Sequence, residues 1–332
     1  MEPPLVAVVL AGGTGTRLYP ASRSHRPKQF QSFGRDRSLL AATVDRAGFA
    51  DEVYVLTRPA FADSVHEHAP EAAILTEPEP RDTGPALVYA AHRIRDQIGD
   101  AVMVTMPSDH RIGGAFAATA RTAADVAVGT GGLVTVGVEA TRPATGYGYI
   151  QPGERRNGYH TVASFTEKPD PETAESYVDD GYYWNAGVFA WTPNAFLGEA
   201  RTSPLEPLVD AMDDGDPERG FATVDSISVD YAVLERTDKA YLVPATFEWD
   251  DLGSWDAVER MLESDESGNV VLGDALLTDA TDNVVATDGH VSAVGVSDLV
   301  IASYGDRTLV IPKDRAQDVR EVVAKLRDEG KY

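Results

Sequence analysis

Short apolar runs alternate with longer amphipathic segments along the first 140 residues. The runs at 5–10, 52–57, 72–75, 101–106 and 132–138 are brief and rich in β-branched residues, which is typical of buried strands. The segments 39–47, 85–97 and 116–127 space their apolar residues as a helix does, and Pro85 suits a first helical position. This alternation predicts an α/β fold with a Rossmann-like, mostly parallel sheet and helices on both faces.

The pattern changes after about residue 140, where the apolar runs become rich in aromatic residues. Strands are predicted near 147–150, 160–165 and 183–191, with a helix at 171–178. Because no Pro-, Gly- or Ser-rich linker separates this part from the first, we interpret it as a substrate-facing half built onto the same sheet.

Six short apolar runs punctuated by Gly and Asp follow from Gly268 onward. They predict strands at 269–272, 275–278, 283–286, 290–296, 299–303 and 308–311 in a small β-rich, β-helix-like module, closed by an amphipathic helix over 313–325. We therefore divide the chain into an α/β domain at 1–264 and a C-terminal module at 265–332. We expect the module to serve packing or assembly, and a chain ending near Glu263 to keep the ligand binding of the first domain.

The first strand runs directly into a glycine-rich loop. Glycines let the backbone turn sharply and bring N–H groups against an anion, and Arg17 and Lys28 add positive charge nearby. The loop is not a P-loop, which needs Lys-Ser/Thr after its glycines, and Leu18 stands where a Rossmann fingerprint has its third glycine. We expect a polyphosphate to bind along Leu10, Ala11, Gly12, Gly13, Thr14, Gly15, Thr16 and Arg17.

Composition narrows the class of protein. The 332 residues include 53 acidic and 29 basic side chains, so the net charge of −24 argues against binding to nucleic acid or to an anionic membrane. Only six of the basic residues are lysines, which favours a protein adapted to high salt over an ordinary acidic enzyme. The absence of cysteine excludes disulfides, thiolate metal sites and a cysteine nucleophile. No apolar run approaches the about 20 residues of a membrane span and no signal peptide is recognisable, so we expect a cytoplasmic location.

The glycine loop and the motif Pro27-Lys28-Gln29-Phe30 together resemble the nucleotide-binding signature of sugar-1-phosphate nucleotidyltransferases. The Pro-Lys-Gln-Phe ending is most similar to that of mannose-1-phosphate guanylyltransferases, and matching motifs run in family order from Leu5 to about Leu262. The resemblance implies GTP and mannose 1-phosphate as substrates. It also implies catalytic roles for Arg17 and Lys28 at the phosphates, with no protein nucleophile.

Two carboxylates are candidate ligands for Mg²⁺. Asp109 follows a predicted strand, where an aspartate can hold Mg²⁺ against nucleotide phosphates or simply form a turn. The resemblance implies a metal-binding aspartate here and a second one two residues before Gly253, which is Asp251 rather than Asp250. The alternative for this second segment is a helix cap upstream of Trp255.

Four further segments match those that bind the sugar phosphate in the family. Taken alone, the first three could be a β-turn or bulged strand, a surface ion pair, and a polar residue in a core strand. The resemblance implies that the hexose and its phosphate contact Gly146, Tyr147, Glu167, Lys168, Asn185 and Asp230.

The segment Arg81-Asp82-Thr83-Gly84-Pro85-Ala86 departs from the Asn-Thr-Ala-Pro-Ala that the family more often has near the base. We assign Asp82 and Thr83 to nucleotide binding, since a carboxylate at Asp82 could accept hydrogen bonds from N1–H and N2–H₂ of guanine. It could equally cap the helix that follows.

These observations together predict an enzyme that converts GTP and mannose 1-phosphate to GDP-mannose and pyrophosphate, with Mg²⁺ as cofactor. Two alternatives stay open: a related transferase that uses UTP or dTTP with a glucose-type phosphate, and a nucleotide-sugar-binding regulator without turnover. A homodimer is also left open.

Overall fold

A computed structural model of the chain describes residues 3–34 and 36–332. The strands are β1 (Leu5–Leu10), β2 (Glu52–Thr57), β3 (Ala73–Thr76), β4 (Val102–Pro107), β5 (Arg111–Ile112), β6 (Leu133–Glu139), β7 (Gly148–Arg155), β8 (His160–Glu167), β9 (Tyr183–Trp191), β10 (Ala240–Pro244), β11 (Trp249–Asp250), β12 (Val270–Thr278), β13 (Val284–Val294), β14 (Leu299–Tyr304) and β15 (Arg307–Pro312). The helices are α1 (Leu39–Arg46), α2 (Ala62–His68), α3 (Thr83–Ile98), α4 (Phe116–Thr130), α5 (Pro171–Asp179), α6 (Pro193–Ala200), α7 (Glu206–Asp213), α8 (Pro217–Thr223), α9 (Trp255–Met261) and α10 (Val319–Asp328). None of the helices in these ranges is long and apolar enough to span a bilayer.

The described chain divides into two compact units. The first comprises residues 3–12, 43–108 and 112–249, and the second comprises the described residues of 13–42, 109–111 and 250–332. The boundary predicted at 264/265 stays a prediction.

The first unit is built on a nine-stranded sheet in the order β3-β2-β1-β4-β9-β6-β10-β8-β7. β1 lies parallel to β2 and β4, with Val8 opposite Tyr54 on one side and Thr105 on the other. Only β8 and β9 run against the remaining strands of this sheet. The predicted α/β fold with a mostly parallel sheet is confirmed.

The main core of the first unit lies between this sheet and helices α3, α6, α7 and α8. Its largest members include Trp191, Phe196, Phe221, Leu87 and Ile94, all fully buried. β1 itself is buried at four consecutive residues, which explains why its sequence is apolar throughout rather than alternating. The sheet is therefore well anchored where the glycine loop leaves β1.

The second unit contains a four-stranded sheet in the order β12-β13-β14-β15, in which the first three strands are parallel. At its turn, Asn283 Nδ2 donates to Asn269 Oδ1 at 3.0 Å, and both side chains are buried. Stacked parallel strands with an asparagine at the same position in successive turns form a β-helix-like arrangement. The predicted β-rich C-terminal module is confirmed.

Two details of this module differ from the sequence prediction. Four of the six predicted strands merge into β12 and β13. At the junction Gly273, with φ 111°, lies opposite three residues of β13, so the pairing shifts register and both strands continue without a turn. The predicted helix over 313–325 begins as a 3₁₀ turn at Lys313–Asp318 and becomes α-helical only from Val319.

Residues 13–42 share a core with the C-terminal module. Leu18, Tyr19 and Phe33 pack in one buried cluster with residues of β12–β15 and α10, and Trp255 Nε1 donates to the Tyr19 carbonyl at 3.1 Å. This core argues against our expectation that the module can be removed without affecting nucleotide binding.

Candidate active site

The loop after β1 begins in the first unit. Ala11 N donates to the Leu56 carbonyl at 2.8 Å, and Thr57 Oγ1 donates to the Ala11 carbonyl at 3.0 Å. These two bonds tie Ala11, next to Leu10 and Gly12, to the end of β2.

The rest of the loop, from Gly13 to Arg17, lies in the second unit. Gln29 Nε2 donates to the Gly13 carbonyl at 3.0 Å, and Ser22 Oγ donates to the Thr14 carbonyl. Gly15 has φ 65°, and a Cβ there would lie 2.5 Å from Lys28 Cβ. Glycine is therefore required for the loop to pass over Lys28, with Thr16 and Arg17 in the 3₁₀ turn that follows.

Lys28 organises the charged cluster of the second unit. Only 2% of it is exposed, and its Nζ donates to Asp109 Oδ2 at 3.1 Å and to the Asp251 carbonyl at 2.6 Å. Arg17 Nη2 lies 3.9 Å from Asp251 Oδ2. The structure thus brings together the four predicted catalytic residues Arg17, Lys28, Asp109 and Asp251.

Both carboxylates of this cluster are ionised at neutral pH. Burial raises the pKa of Asp109, but the charges of Lys28 and His110 outweigh it and hold the pKa below its usual value. Burial likewise raises the pKa of Asp251, and Lys28, His110 and Arg17 more than compensate. Burial lowers the pKa of His110 despite the neighbouring carboxylates. Sequence reasoning missed His110, because a histidine after an aspartate carries no motif signal of its own.

The carboxylate pair fits a magnesium ion. Mg²⁺ is held in such enzymes by one or two carboxylates, with substrate phosphates and water completing the octahedron. Asp109 and Asp251 supply ionised oxygens of that kind. No group of three or more histidine or acidic side chains in residues 3–34 and 36–332 is placed to hold a metal by itself, so the remaining ligands would come from phosphates and water.

Asp250 and Asp251 are adjacent but differ in surroundings. Asp250 Oδ2 accepts from Arg260 Nε at 3.1 Å and Nη2 at 2.9 Å, and its Oδ1 accepts from Leu252 N at 3.1 Å. Asp251 Oδ2 instead lies near Arg17, its Oδ1 accepts from Gly253 N at 3.0 Å, and its backbone carbonyl accepts from Lys28. Neither side chain caps α9, whose preceding residue Ser254 makes no capping bond with its side chain.

The predicted sugar residues lie in the first unit, and four of them form one polar group. Asn185 Nδ2 donates to Asp230 Oδ1 at 2.9 Å, and Lys168 Nζ donates to Glu167 Oε1 at 2.5 Å. Burial, reinforced by the charge of Glu167, raises the pKa of Asp230 to about 7. A Cβ on Gly148 would clash with Glu167 Oε2, so this glycine allows Glu167 its position.

Tyr147 forms an aromatic wall in the same unit. Its ring packs edge-on against Trp184 and Trp249, with centroids 5.3 and 5.0 Å away. Gly146 precedes it in the turn that leads into β7. Aromatic faces beside hydroxyl-binding carboxylates are suited to a hexose.

At the start of α3, Asp82 caps the helix, as one of its two predicted roles requires. Asp82 has φ 69°, and its Oδ1 accepts from Thr83 N at 2.7 Å. Thr83 Oγ1 accepts from Val229 N at 3.0 Å. Whether Asp82 also contacts a base stays a prediction.

Sequence reasoning missed Glu77, which follows β3 directly. It is 5% exposed, its Oε2 has no hydrogen-bond partner among the described residues, and its Oε1 lies 3.1 Å from where a Cβ on Gly12 would stand. Burial raises its pKa to about 7. The available signal was an acidic residue at a strand end, but Glu-Pro-Glu-Pro is typical of an exposed loop.

The chain matches two family models. Residues 6–268 match the nucleotidyl transferase model, and residues 273–326 match the model of the MannoseP isomerase/GMP-like beta-helix domain. The UDP-glucose pyrophosphorylase structure with bound UDP-glucose shares the fold, with a TM-score of 0.55 at 14% identity.

Relatives of known name match nearly the whole chain. The mannose-1-phosphate guanylyltransferase of Klebsiella pneumoniae is 37% identical over 97% of this chain and 74% of its own length. RfbM of Salmonella typhimurium, which carries the same enzyme name, is 36% identical over 98% of this chain and 73% of its own. A crystal structure from Thermus thermophilus, described as a mannose-1-phosphate geranyltransferase, superposes with a TM-score of 0.91 at 35% identity, covering 98% of this chain and 99% of that one.

The matched motifs, fold and site residues define a sugar-nucleotide-forming nucleotidyltransferase. The chain belongs to the nucleotidyl transferase family, and within it to the mannose-1-phosphate guanylyltransferases. The resemblance drawn from the sequence is confirmed.

Proposed function

We propose that this enzyme converts GTP and α-mannose 1-phosphate to GDP-mannose and pyrophosphate. The observation that carries the proposal is the ionised pair Asp109 and Asp251 around buried Lys28, next to the glycine loop, in a chain of this family. Such a cluster suits a reaction that needs charge neutralisation at phosphates rather than a protein nucleophile.

In the proposed reaction, a phosphate oxygen of mannose 1-phosphate attacks the α-phosphorus of GTP. The bond from the α-phosphorus to the oxygen that bridges to the β-phosphorus breaks in line, and pyrophosphate leaves with that oxygen and its electron pair. Arg17 and the amides of Gly12 to Thr16 would bind the β- and γ-phosphates, and Lys28 would contact oxygens at the reacting phosphorus.

Asp109 and Asp251 would hold Mg²⁺, which when bound neutralises charge on the phosphates. Lys28 has a second role that depends only on the protein. By donating to Asp109 and to the backbone of Asp251, it fixes the two metal-binding segments relative to each other.

The first unit would bind the rest of the substrates. Asn185, Asp230 and Glu167 would exchange hydrogen bonds with mannose hydroxyls, Lys168 would contact the sugar phosphate, and Gly146 and Tyr147 would border the hexose. For the base, Glu77 offers a carboxylate beside Gly12 whose Oε2 has no hydrogen-bond partner in the described residues, whereas Asp82 already caps α3. A carboxylate can accept both N1–H and N2–H₂ of guanine.

The test is a panel of GTP, ATP, UTP and dTTP against mannose 1-phosphate and glucose 1-phosphate, with Mg²⁺, followed by pyrophosphate release. We expect the highest kcat/KM for GTP with mannose 1-phosphate, and loss of turnover in Asp251→Asn shows that the activity belongs to this site. Preference for UTP or dTTP with glucose 1-phosphate would overturn the substrate assignment. Nucleotide-sugar binding without turnover for any pair would identify a regulator instead.

A further inference from the structure

We propose that Arg320 of helix α10 is a second arginine for the polyphosphate, binding the β- and γ-phosphates together with Arg17. The identity of the triphosphate as GTP rests on the proposed function, but the role of Arg320 toward a pyrophosphate group does not depend on the base.

Helix α10 packs directly against the turn that carries Arg17. Leu18 and Tyr19, which follow Arg17, share a buried cluster with Val319 and Val323 of the helix, and three of these four side chains are at most 2% exposed. The first turn of α10 is therefore held in place beside the end of the glycine loop.

Arg320 comes immediately after Val319 and is exposed at this position. Partial burial of its side chain and the nearby guanidinium of Arg17 both lower its pKa. An arginine keeps its charge even so, which means that two like charges are held near each other. That arrangement is unfavourable until an anion joins them.

Arg320 differs from the other cations of its helix in lying near a second guanidinium, in a chain that has 53 acidic and 29 basic residues. Two cations just before α10 are paired with carboxylates: Arg315 with Asp318 at 2.7 Å and Lys313 with Glu259 at 2.6 Å. Within residues 3–34 and 36–332, no carboxylate lies at ion-pair distance from Arg320. Because this unpaired guanidinium lies near Arg17, at the end of the glycine loop, we infer that it is available for an external anion.

A pyrophosphate group is the anion that fits. The β- and γ-phosphates carry most of the charge of a nucleoside triphosphate, and guanidinium groups pair with phosphate oxygens in a bidentate manner. Arg17 lies 3.9 Å from Asp251 on one side. A second guanidinium would therefore pair with the phosphate oxygens that Arg17 leaves unpaired. The C-terminal module would thereby contribute to binding of the leaving group.

The experiment measures binding to the full-length protein by calorimetry at fixed ionic strength, with Mg²⁺ present. The ligands are inorganic pyrophosphate, GTP and GMP, and the variants are Arg320→Gln and, as matched control, Lys325→Gln, which removes one exposed positive charge from the same helix. We expect Arg320→Gln to raise the Kd of pyrophosphate and of GTP about tenfold, the scale of a charged hydrogen bond, with the Kd of GMP unchanged. Lys325→Gln should leave all three unchanged.

Steady-state kinetics give a second measurement, which a purely structural role of Arg320 would leave unchanged. Arg320→Gln should raise the KM for GTP and the inhibition constant of pyrophosphate, and leave the KM for the sugar phosphate near its wild-type value. Arg320→Lys should recover part of the loss.

Three results would overturn the proposal: equal pyrophosphate binding by Arg320→Gln and wild type, an equal loss for GMP and GTP, or no pyrophosphate binding by the wild type. Failure of the proposed function is distinguishable from these. If the enzyme prefers UTP, the substrate assignment fails, whereas the defect of Arg320→Gln toward pyrophosphate persists.

Discussion

At the scale of single residues, Lys28 joins the segments of Asp109 and Asp251 around one buried ammonium group. A buried ammonium group is costly unless it is paired and hydrogen-bonded, and Asp109 together with the Asp251 carbonyl provides this compensation. The same contacts leave the two carboxylates ionised. One cluster of side chains therefore supplies the negative charge for the proposed metal ion and also stabilises the buried lysine.

We expect Asp109→Asn to lower kcat on the order of a thousandfold, because the proposed Mg²⁺ site loses a charge that stabilises the transition state. Asp251→Asn should behave alike. Asp250→Asn is the matched control: it weakens a partly exposed pair with Arg260, so we expect at most about 1 kcal/mol of lost stability and near-normal turnover. Steady-state rates at saturating Mg²⁺ and thermal melts measure both effects, and equal, small rate effects at positions 250 and 251 would contradict the assignment.

Glu77 makes stability depend on pH. Its pKa of about 7 in the folded protein lies above the ordinary 4.5, so folding favours the protonated form. The stabilisation from this group is fully present below about pH 4.5 and is lost as the pH rises through 7. Glu77→Gln mimics the protonated form, and we expect it to be more stable than wild type at pH 8 by about 3 kcal/mol, with little difference at pH 4.5.

Denaturant unfolding at the two pH values measures this difference. Glu71→Gln is the control, since Glu71 is exposed just before the same strand. A stability gain of equal size for both variants, or one that does not change with pH, would show that burial of the Glu77 carboxylate is not responsible.

At the scale of elements, the C-terminal strands and α10 support the phosphate loop by packing. Leu18 and Leu39 are at most 1% exposed, and their cluster includes Val270, Val300 and Val319. Apolar side chains of this size contribute about 1.5–3 kcal/mol each when fully buried. The loop conformation therefore depends on residues more than 200 positions away in the chain.

We accordingly expect a chain ending at Glu263 to lose GTP binding, because the exposed cluster can no longer hold residues 13–42 in place. Limited proteolysis should cut first within 13–42, while the sheet of the first unit stays resistant. Calorimetry with GTP gives the binding result. A soluble fragment that binds GTP as tightly as the full chain, with 13–42 protected, would restore our original expectation that the module is dispensable.

At the scale of the whole molecule, the dominant property is the net charge of −24. Self-repulsion among exposed carboxylates destabilises a compact state, and salt screens it, with a Debye length of about 10 Å at 0.1 M and about 3 Å at 1 M. Many of the arginines already lie within surface ion pairs, such as Arg219 with Asp214 at 2.7 Å, so most of the acidic excess has no cation to match it.

We therefore expect the melting temperature to rise steadily from low to molar KCl. Sucrose at matched water activity is the control, since it stabilises by exclusion from the surface without screening charge. A melting temperature that is flat or falls with KCl, or that rises equally with sucrose, would contradict adaptation to salt.

Local sequence was sufficient for features that depend on neighbouring residues. The apolar run of β1 and the glycines after it predict a buried strand and an anion-binding turn, since strand propensity and glycine conformations act over a few positions. Motif order then made Lys28, Asp109 and Asp251 candidates, because the chemistry at phosphates constrains residue type, and these three lie in one cluster.

Tertiary structure alone decided which side chains meet. Asp250 and Asp251 are indistinguishable as neighbouring carboxylates, and only the packing turns one toward Arg260 and the other toward Arg17. The sequence around Glu77 is typical of an exposed loop, and only the fold buries this residue. Arg320 becomes a candidate phosphate ligand only because α10 packs beside Arg17. Burial and the proximity of charges arise from contacts between distant parts of the chain. The local pattern of apolar and polar residues does not encode such contacts.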